Sequence, residues 1–412
     1  MSKIAVIFES SPFDRKGLFN AVHNRTLNLL SESGFMVDAY CMHVRDGFLS
    51  RHLRKTAKVP KKDMVEVDGV SYKMLWRRFS YLDELRRRFS MAPSHLLAYA
   101  RAKASLFREY DVLVAHSYEA GLVAYEVNRQ YGVPYTVTWH GSDVHTHPIA
   151  DEARRGLTAR VMEKAAVNFF VSKALMEASS KITENAAKSV LYNGVSDGFE
   201  CVDEKTRTIY RKDFGLEPED KVVAFVGNLH PVKNVEVLPK LFSRIHDNFE
   251  MHLRDCPESH ADLKFWVVGD GKLRSQIEPV VTKAAGTQVV FWGNVEVGRM
   301  AALMHCIDLL ILPSRNEGLP LVTLEALSCG ASVLGSEVGG IPEVIGKDFC
   351  VPFEVNGYGQ PDYTGDSFAE KMAQKAVRQL FYPKEQSLDP KFSWKYAAET
   401  EIAVLKGLIG LF

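Results

Sequence analysis

The stretch that decides the fold is DLLILPSRNEGLPLVTLE, residues 308–325. Its apolar start predicts a buried strand, its Pro-Ser-Arg-Asn-Glu-Gly segment a loop, and its end a helix that opens at about Leu319-Pro320, since proline is accepted in the first turn of a helix. The loop and first-turn amides at Gly318, Leu319, Leu321 and Val322 would then present the positive end of the helix dipole. Such a helix start suits an anion, and a diphosphate in particular.

Two carboxylates flank this predicted helix start. Glu317 lies on the loop and Glu325 lies about one and a half turns into the helix, so both can face one cleft at the end of the strand. One carboxylate can accept hydrogen bonds from sugar hydroxyls and the other from the ribose diol. Two glutamates at this spacing, without other motifs, more often lie on the solvated face of a helix. The neighbouring motifs therefore decide the interpretation.

Three further strands upstream end in glycine turns. They are VAFVGNLHPVKN (223–234), FWVVGDG (265–271) and VFWGNV (290–295), and the first places Lys233 near the next helix start. Glycine lets a ligand approach the backbone closely, and a lysine can neutralise phosphate charge on a leaving nucleotide. Ligands of open parallel sheets bind at the carboxyl edge of the strands, where these loops meet.

Short apolar runs alternate with amphipathic stretches along all 412 residues, which predicts an α/β protein with parallel sheets. This length favours two domains. We expect strands at 3–8, 36–42, 111–115, 134–139 and 167–171, and again at 221–226, 263–268, 288–291, 308–312 and 331–335. The predicted domains are Rossmann-like and comprise residues 1–200 and 201–392, and an amphipathic helix is predicted in 393–412.

Composition narrows the class of protein further. The chain is 46% apolar and 25% charged, and no run approaches the roughly 20 apolar residues of a membrane span. The six cysteines are scattered, which favours a reducing, cytoplasmic setting. Residues 51–88 hold twelve Lys or Arg against five acids, with aromatic residues between them. This segment is either a solvated surface or a patch for anionic membrane at the inner face; nothing else favours nucleic acid.

The motifs GNLHPVKN (227–234), VVGDGKL (267–273), VFWGNV (290–295) and EGLPLVTLE (317–325) resemble those of retaining glycosyltransferases of family four. The first half is similar as well, with DVLVAH (111–116), GVPYTVTWHGSD (132–143), FFVS (169–172) and YNGV (192–195) in that family's order. The resemblance covers nearly the whole chain. It implies the GT-B fold, in which two Rossmann-like domains with parallel sheets face each other across a deep cleft. In that fold residues 1–200 would bind the acceptor, residues 201–392 would bind the nucleotide sugar, and the helix in 393–412 would return to the first domain.

The resemblance also implies roles for individual residues. Lys233 and the helix start would hold the leaving diphosphate, Glu325 the ribose, and Glu317 the donor sugar, with His140 beside that sugar from the N-terminal side. The candidate catalytic residues are His140, Glu317 and Lys233. The candidate donor-binding set is Gly17, Asn228, Lys233, Gly269, Gly271, Asn294, Gly318, Leu319, Pro320, Leu321, Val322 and Glu325; Gly17 matches the family's glycine loop only loosely.

One position departs from the family pattern. Asn228 stands where an arginine is expected, so that one phosphate-neutralising cation is missing. Arg315, His230 or Lys272 would have to compensate for the lost charge.

The expected reaction is transfer of a hexosyl group from a nucleotide-diphosphate sugar, UDP-linked by default, to a saccharide or lipid-linked acceptor, as in surface polysaccharide or glycoconjugate synthesis. No Asp-x-Asp motif occurs in a suitable loop, and we expect neither a metal nor another cofactor. Two alternatives stay open: a nucleotide-sugar epimerase or hydrolase of the same fold, and an inactive sugar-nucleotide-binding protein. A Rossmann dehydrogenase is disfavoured because no G-x-G-x-x-G follows the first strand.

Overall fold

The computed structural model describes residues 2–13, 18–45, 59–195, 198–255, 261–285, 289–357 and 359–410. The chain forms two compact units. The first contains Met1–Gly194 together with Ser393–Phe412, and the second contains Val195–Phe392. The first unit breaks off at Gly194, whereas the sequence predicts a domain boundary at residue 200. The C-terminal segment belongs to the first unit.

The first unit is built on an eight-stranded sheet with the order β3-β4-β2-β1-β5-β6-β7-β8. Its strands are β1 (Lys3–Glu9), β2 (Met36–Arg45), β3 (Met64–Val67), β4 (Val70–Arg78), β5 (Val112–His116), β6 (Tyr135–Trp139), β7 (Val167–Phe170) and β8 (Lys188–Val190). All neighbouring strands are parallel except β3 and β4. The chain starts at β1 and leaves it in both directions, so the strand order reverses between β1 and β5.

Helices cover both faces of this sheet. They are α1 (Leu18–Glu32), α2 (Tyr81–Arg88), α3 (Ser94–Lys103), α4 (Ser117–Tyr131), α5 (Ser142–His145), α6 (His147–Ala150), α7 (Glu152–Lys164) and α8 (Lys173–Ala178). Their connections place the end of each central strand beside the start of a helix, as expected of parallel sheets.

The hairpin of β3 and β4 is a feature that the predicted strands miss. The turn residues Asp68 and Gly69 both have positive φ, at 45° and 82°, as a two-residue hairpin turn requires. Asp-Gly between alternating apolar residues is a strong hairpin signal in the sequence. Part of the basic segment 51–88 that contains the hairpin, residues 51–58, lies outside the described residues.

The second unit contains a six-stranded parallel sheet with the order β11-β10-β9-β12-β13-β14. Its strands are β9 (Lys221–Val226), β10 (Leu263–Val268), β11 (Val289–Gly293), β12 (Leu309–Leu312), β13 (Ser332–Ser336) and β14 (Cys350–Val351). Its helices are α9 (Glu204–Asp213), α10 (Leu238–Asp255), α11 (Arg274–Ala284), α12 (Val297–Cys306), α13 (Leu321–Ser328), α14 (Ile341–Ile345) and α15 (Asp366–Phe381). Here the order reverses between β9 and β12.

The last helix, α16 (Trp394–Leu408), packs against α1 within the first unit. Ala398, Ile402 and Leu405 join the core that β1 and α1 form. Ser393 caps the helix by accepting a hydrogen bond from the Tyr396 amide. Gly194 lies against the Ser393–Trp394 backbone so closely that a side chain there would overlap it. The C-terminal helix is therefore an integral part of the first unit.

Among the described residues, no helix combines the length and apolar character needed to cross a membrane. The five described cysteines, Cys41, Cys201, Cys306, Cys329 and Cys350, are free thiols.

Candidate functional site

The reversal of strand order in the second unit brings two predicted site residues together. Lys233 follows β9 and Glu317 follows β12, so they approach from the two sides of the reversal, where open α/β sheets bind ligands. Lys233 Nζ lies 2.6 Å from Glu317 Oε1. The two side chains are only 23% and 11% exposed. The pair is thus held in a recess with its charges close to the switch point.

Backbone contacts fix the two loops that carry this ion pair. The Arg315 amide donates to the Val232 carbonyl at 2.8 Å, which ties the loop after β12 to the short helix Pro231–Lys233. Gly339 has φ of 51°, and a side chain there would overlap the Glu317 carbonyl. Gly339 follows β13 in a Gly-Gly pair that the sequence interpretation passed over. Because it supports the peptide of Glu317, it belongs to the candidate site.

The helix after Glu317 begins one residue later than expected. Helix α13 starts at Leu321 and Pro320 is its N-cap, without a side-chain cap. The amides of Leu321 and Val322 lie in the first turn, where no intrahelical acceptor exists. Pro320 itself has no N–H to offer. Gly318 and Leu319 are buried and shape the approach to the helix start.

Glu325 lies in the middle of α13 and is partly buried. Its carboxylate has no hydrogen-bond partner among the described residues. Burial raises its pKa to about 7. A carboxylate without partners in a shielded position is suited to accept hydrogen bonds from a ligand diol, which would lower the cost of its charge.

The glycine loops of β9 and β10 pack on each other. A side chain at Gly269 would overlap the Gly227 carbonyl, and one at Gly271 would overlap Asn228 Oδ1. The Leu229 amide donates to the Asp270 carbonyl at 3.0 Å. These glycines therefore allow the two loops to pack closely on each other. This role is separate from the close approach of a ligand that the sequence predicts for them. Asn294 is exposed directly after the edge strand β11, which is separated from β9 by β10.

The three candidates to replace the missing arginine differ in their surroundings. Arg315 is engaged, since its guanidinium lies 3.2 Å from Glu236 and donates to Asn234 Oδ1 at 3.0 Å. The His230 ring accepts from the Val232 amide at 3.2 Å. Lys272 has no ion-pair partner in the described part of the chain. The pKa of the His230 imidazole is lowered mainly by desolvation and further by the nearby charge of Lys272. Lys272 is thus the most available cation.

His140 lies at the end of β6 in the first unit. Its Nε2 is 3.2 Å from Nδ1 of His116, at the end of β5. Desolvation and the nearby Arg25 cation lower the pKa of His140 to about 3, and the pKa of buried His116 is also well below its usual value. Both rings are therefore neutral at physiological pH, and His140 can serve as a hydrogen-bond donor or acceptor rather than as a cation.

Arg25 and Asp143 are two further members of this cluster that the sequence did not suggest. Arg25 is 2% exposed on α1 and donates to Thr138 at 3.0 Å, two residues before His140. Asp143 accepts hydrogen bonds from the amides of His140 and Gly141. Burial raises the pKa of Asp143 to about 6 in spite of those bonds. No motif marks Arg25, because only the fold brings its side chain from α1 to Thr138 of β6.

Gly17 lies outside the described residues. Within the described residues, no group of three or more His, Cys, Asp and Glu side chains is arranged to hold a metal ion.

The two units, each built on a parallel sheet whose strand order reverses, have the architecture of the two-domain α/β proteins of GT-B type. Residues 206–376 match the family model of glycosyl transferases group 1, and residues 21–194 match that of the glycosyl transferase 4-like domain. Glycosyltransferase family models thus match both halves of the chain.

Curated relatives agree with this family. A Bacillus subtilis glycosyltransferase named for teichuronic acid biosynthesis is 29% identical over 58% of this chain and 56% of its own length. The N-acetyl-alpha-D-glucosaminyl L-malate synthase of Bacillus anthracis is 26% identical over 61% of this chain and 64% of its own length. The chain thus spans less than two thirds of the length of these relatives.

Solved structures share the fold over nearly the whole chain. Sucrose-phosphate synthase from Thermosynechococcus elongatus has a TM-score of 0.66 at 18% identity, covering 100% of both chains. Anabaena HepE in complex with UDP and glucose has a TM-score of 0.62 at 16% identity, covering 98% of this chain and 99% of its own.

Proposed function

We propose that this protein transfers a hexosyl group from a nucleotide-diphosphate sugar to a saccharide or lipid-linked acceptor, with retention of the anomeric configuration and without a metal ion. The observation that carries the proposal is the Lys233–Glu317 pair at the switch point of the second sheet, beside the start of α13. A family relationship to glycosyltransferases makes a nucleotide-sugar donor the natural ligand for this recess.

The proposed chemistry follows from the charge that develops when the nucleotide leaves. Lys233 and the first-turn amides of α13 would stabilise the departing diphosphate. Glu325 would accept hydrogen bonds from the ribose hydroxyls, and Glu317 would bind the donor sugar while it orients Lys233. His140, neutral in its surroundings, would contribute a hydrogen bond to the donor sugar. The leaving phosphate itself would help to deprotonate the acceptor hydroxyl.

UDP is the first nucleotide to test. HepE is solved with UDP and with UDP-glucose, while the starch synthase IV of Arabidopsis thaliana, another structure with this fold, is solved with ADP. Those ligands belong to those proteins, so that a screen should include UDP, ADP and GDP. A nucleotide at 100 times its dissociation constant would stabilise the protein by about 2.7 kcal/mol.

Replacing the cation tests the proposal most directly. Lys233→Met should lower kcat with UDP-sugars by about 10²-fold or more, the usual effect of removing one group that stabilises developing negative charge. The anomeric configuration of the product, followed by NMR, reports retention. The proposal fails if Lys233→Met transfers sugar at the rate of the wild type, or if nucleotides do not stabilise the protein. Turnover of donor without acceptor, as fast as with it, would favour a hydrolase or epimerase.

The exposed face of α2 supports a further part of the proposal, a peripheral contact with anionic membrane at its cytoplasmic face. Leu82, Leu85 and Phe89 are 48%, 52% and 70% exposed at one end of the basic segment, and Arg88 next to them is exposed too. Apolar side chains flanked by cations are suited to the interface of an anionic bilayer.

A further inference from the structure

A cavity of about 230 Å³ opens in the first unit, apart from the residues assigned above. Its walls include Glu9 at the end of β1 and Tyr118 and Glu119 in the first turn of α4, which follows β5. The order of the first sheet reverses between β1 and β5. The cavity therefore lies at the switch point of this sheet, the place where ligands bind in open α/β folds.

Three polar groups in the wall have no partner among the described residues. Tyr118 is 1% exposed and its hydroxyl makes no hydrogen bond. The Oε2 atom of Glu9 and the Nε atom of Arg154 are buried and equally unpartnered. Buried polar groups are nearly always hydrogen-bonded, so these atoms indicate a ligand that supplies both donors and acceptors.

The backbone at this point positions Tyr118 and Glu119. Ser117, the first residue of α4, has φ of 72°, which is uncommon for a residue with a side chain. Strained residues of this kind cluster at ligand sites. The guanidinium of Arg154, on α7, lies 4.2 Å from the centre of the Tyr118 ring and holds the ring in place.

The charges around the cavity argue against an anionic ligand. Each arginine in the wall already faces a carboxylate: Arg77 to Glu9 at 3.3 Å, Arg154 to Glu119 at 3.6 Å, and Arg87 to Glu84 at 2.6 Å. Asp83 and Asp151 add two more negative charges. Desolvation, together with Glu119, raises the pKa of Glu9 to about 7. A phosphate or carboxylate would have to displace a carboxylate here, whereas hydroxyl groups can bond to both partners of each pair.

The cavity adjoins the loop of His140. Asp143, which accepts hydrogen bonds from the His140 and Gly141 amides, experiences the charges of both Glu119 and Arg154. The same cavity walls thus border the part of the first unit to which the proposed function assigns donor-sugar contact.

We propose that this cavity binds the acceptor through an uncharged sugar ring, whose hydroxyls donate to Glu9 and Glu119 and accept from Tyr118 and Arg154. The inference rests on the proposed glycosyl transfer and narrows its acceptor to a neutral saccharide, free or as the terminal sugar of a larger molecule. The volume lies below the roughly 300–1,000 Å³ of pockets for drug-sized ligands and suits one ring.

Saturation-transfer NMR on the full chain, with UDP present, tests the site. The neutral probes are glucose, galactose, mannose and N-acetylglucosamine, and the charged probes are glucose 6-phosphate, glucuronate, inositol 3-phosphate and L-malate. We expect at least one neutral sugar to bind and the charged compounds to bind more weakly. Binding of the charged compounds alone, or of none of the probes, would overturn the inference.

Two conservative variants tie binding to the cavity. Tyr118→Phe and Glu9→Gln should each lower the affinity for the sugar about tenfold, as expected for loss of a hydrogen bond to a buried group. Tyr131→Phe, at an exposed tyrosine on the other end of α4, is the matched control and should bind as the wild type does. Unchanged sugar affinity in both cavity variants would contradict the assignment.

A thermal shift with UDP on the same samples separates the two proposals. Stabilisation by UDP without any binding of neutral sugars refutes the cavity assignment alone. Sugar binding without stabilisation by any nucleotide refutes the glycosyl-transfer proposal and leaves the cavity as a sugar site. Unfolding curves of the ligand-free variants show whether each one is folded.

Discussion

At the scale of single residues, Glu325 combines a shielded position with a carboxylate that lacks a partner. Because burial raises its pKa to about 7, a substantial fraction is protonated at neutral pH. If the ionised form accepts the ribose hydroxyls, UDP should bind more tightly as the pH rises from about 6 to about 8. Calorimetry of wild type and Glu325→Gln checks this, since the ionisation of the nucleotide affects both proteins equally.

The same shift predicts a change in stability. The folded protein holds the Glu325 proton more tightly than the unfolded chain, so that stability without ligand should fall as pH rises from about 4.5 through 7. In Glu325→Gln this part of the decline is absent. Equal pH dependence of binding and of unfolding in the two proteins would contradict the role given to Glu325.

Lys272 is the available cation near Asn228. We expect Lys272→Gln to lower kcat about tenfold. This effect is smaller than that of Lys233→Met because the Lys272 side chain is exposed. Asn228→Arg should restore the rate in that variant by supplying the charge directly. Lys283→Gln, another exposed lysine of the second unit, is the control. A rate unaffected by Lys272→Gln would leave the site with one cation.

At the scale of elements, α1 and α16 enclose two buried charges. Arg25 on α1 is 2% exposed and Glu401 on α16 is fully buried, and neither Glu401 oxygen has a hydrogen-bond partner within the described residues. Desolvation lowers the pKa of Arg25 and raises that of Glu401, while each charge partly offsets the other's shift. The returning helix thus contributes electrostatically to the His140 cluster as well as by packing.

A double-mutant cycle tests this coupling. Arg25→Met alone should cost about 3 kcal/mol of unfolding free energy, because it leaves Glu401 without an opposite charge, while Arg25→Met/Glu401→Leu should recover part of that loss. Urea denaturation of the single and double variants measures these changes in the free energy of unfolding. Loss of Arg25 should also raise the pKa of His140, followed by NMR. Additive effects of the two substitutions would show that the helices are not coupled through these charges.

At the scale of the whole molecule, the charge is unevenly distributed. Residues 1–200 carry 28 Lys and Arg against 22 Asp and Glu, and the remainder carries 23 against 29. Within the basic run of α2, Arg86 donates to the Ala92 carbonyl and Arg87 pairs with Glu84. Arg88 is therefore the residue that can be changed with least effect on folding.

We expect Arg88→Gln and Leu85→Ser/Phe89→Ser each to weaken binding to vesicles that contain phosphatidylglycerol. One basic residue near such a surface contributes about 1 kcal/mol. Cosedimentation at two salt concentrations measures the effect, since added salt should weaken the wild-type interaction. Arg160→Gln, at an exposed position of α7, is the control. Equal binding of wild type and variants, or of neutral and anionic vesicles, would remove the membrane contact from the proposal.

The sequence by itself determined the α/β class and the strands β1, β2, β5 to β7 and β9 to β13, because apolar periodicity is a local signal. It singled out Lys233, Glu317 and Glu325 as candidates because strands that end in glycine loops are a local signal too. The short strands β8 and β14 were not predicted. It missed the β3–β4 hairpin, where Asp68-Gly69 was a readable signal.

Only the tertiary structure decided which distant residues meet. Strand order places β1 beside β5 and β9 beside β12, and so creates the cavity at Glu9 and Tyr118 and the pairing of Lys233 with Glu317. Arg25 and Glu401 are separated along nearly the whole chain and carry no local pattern. Burial and charge coupling arise from long-range packing, and for that reason neither the neutral state of His140 nor the raised pKa of Glu325 could be predicted from sequence.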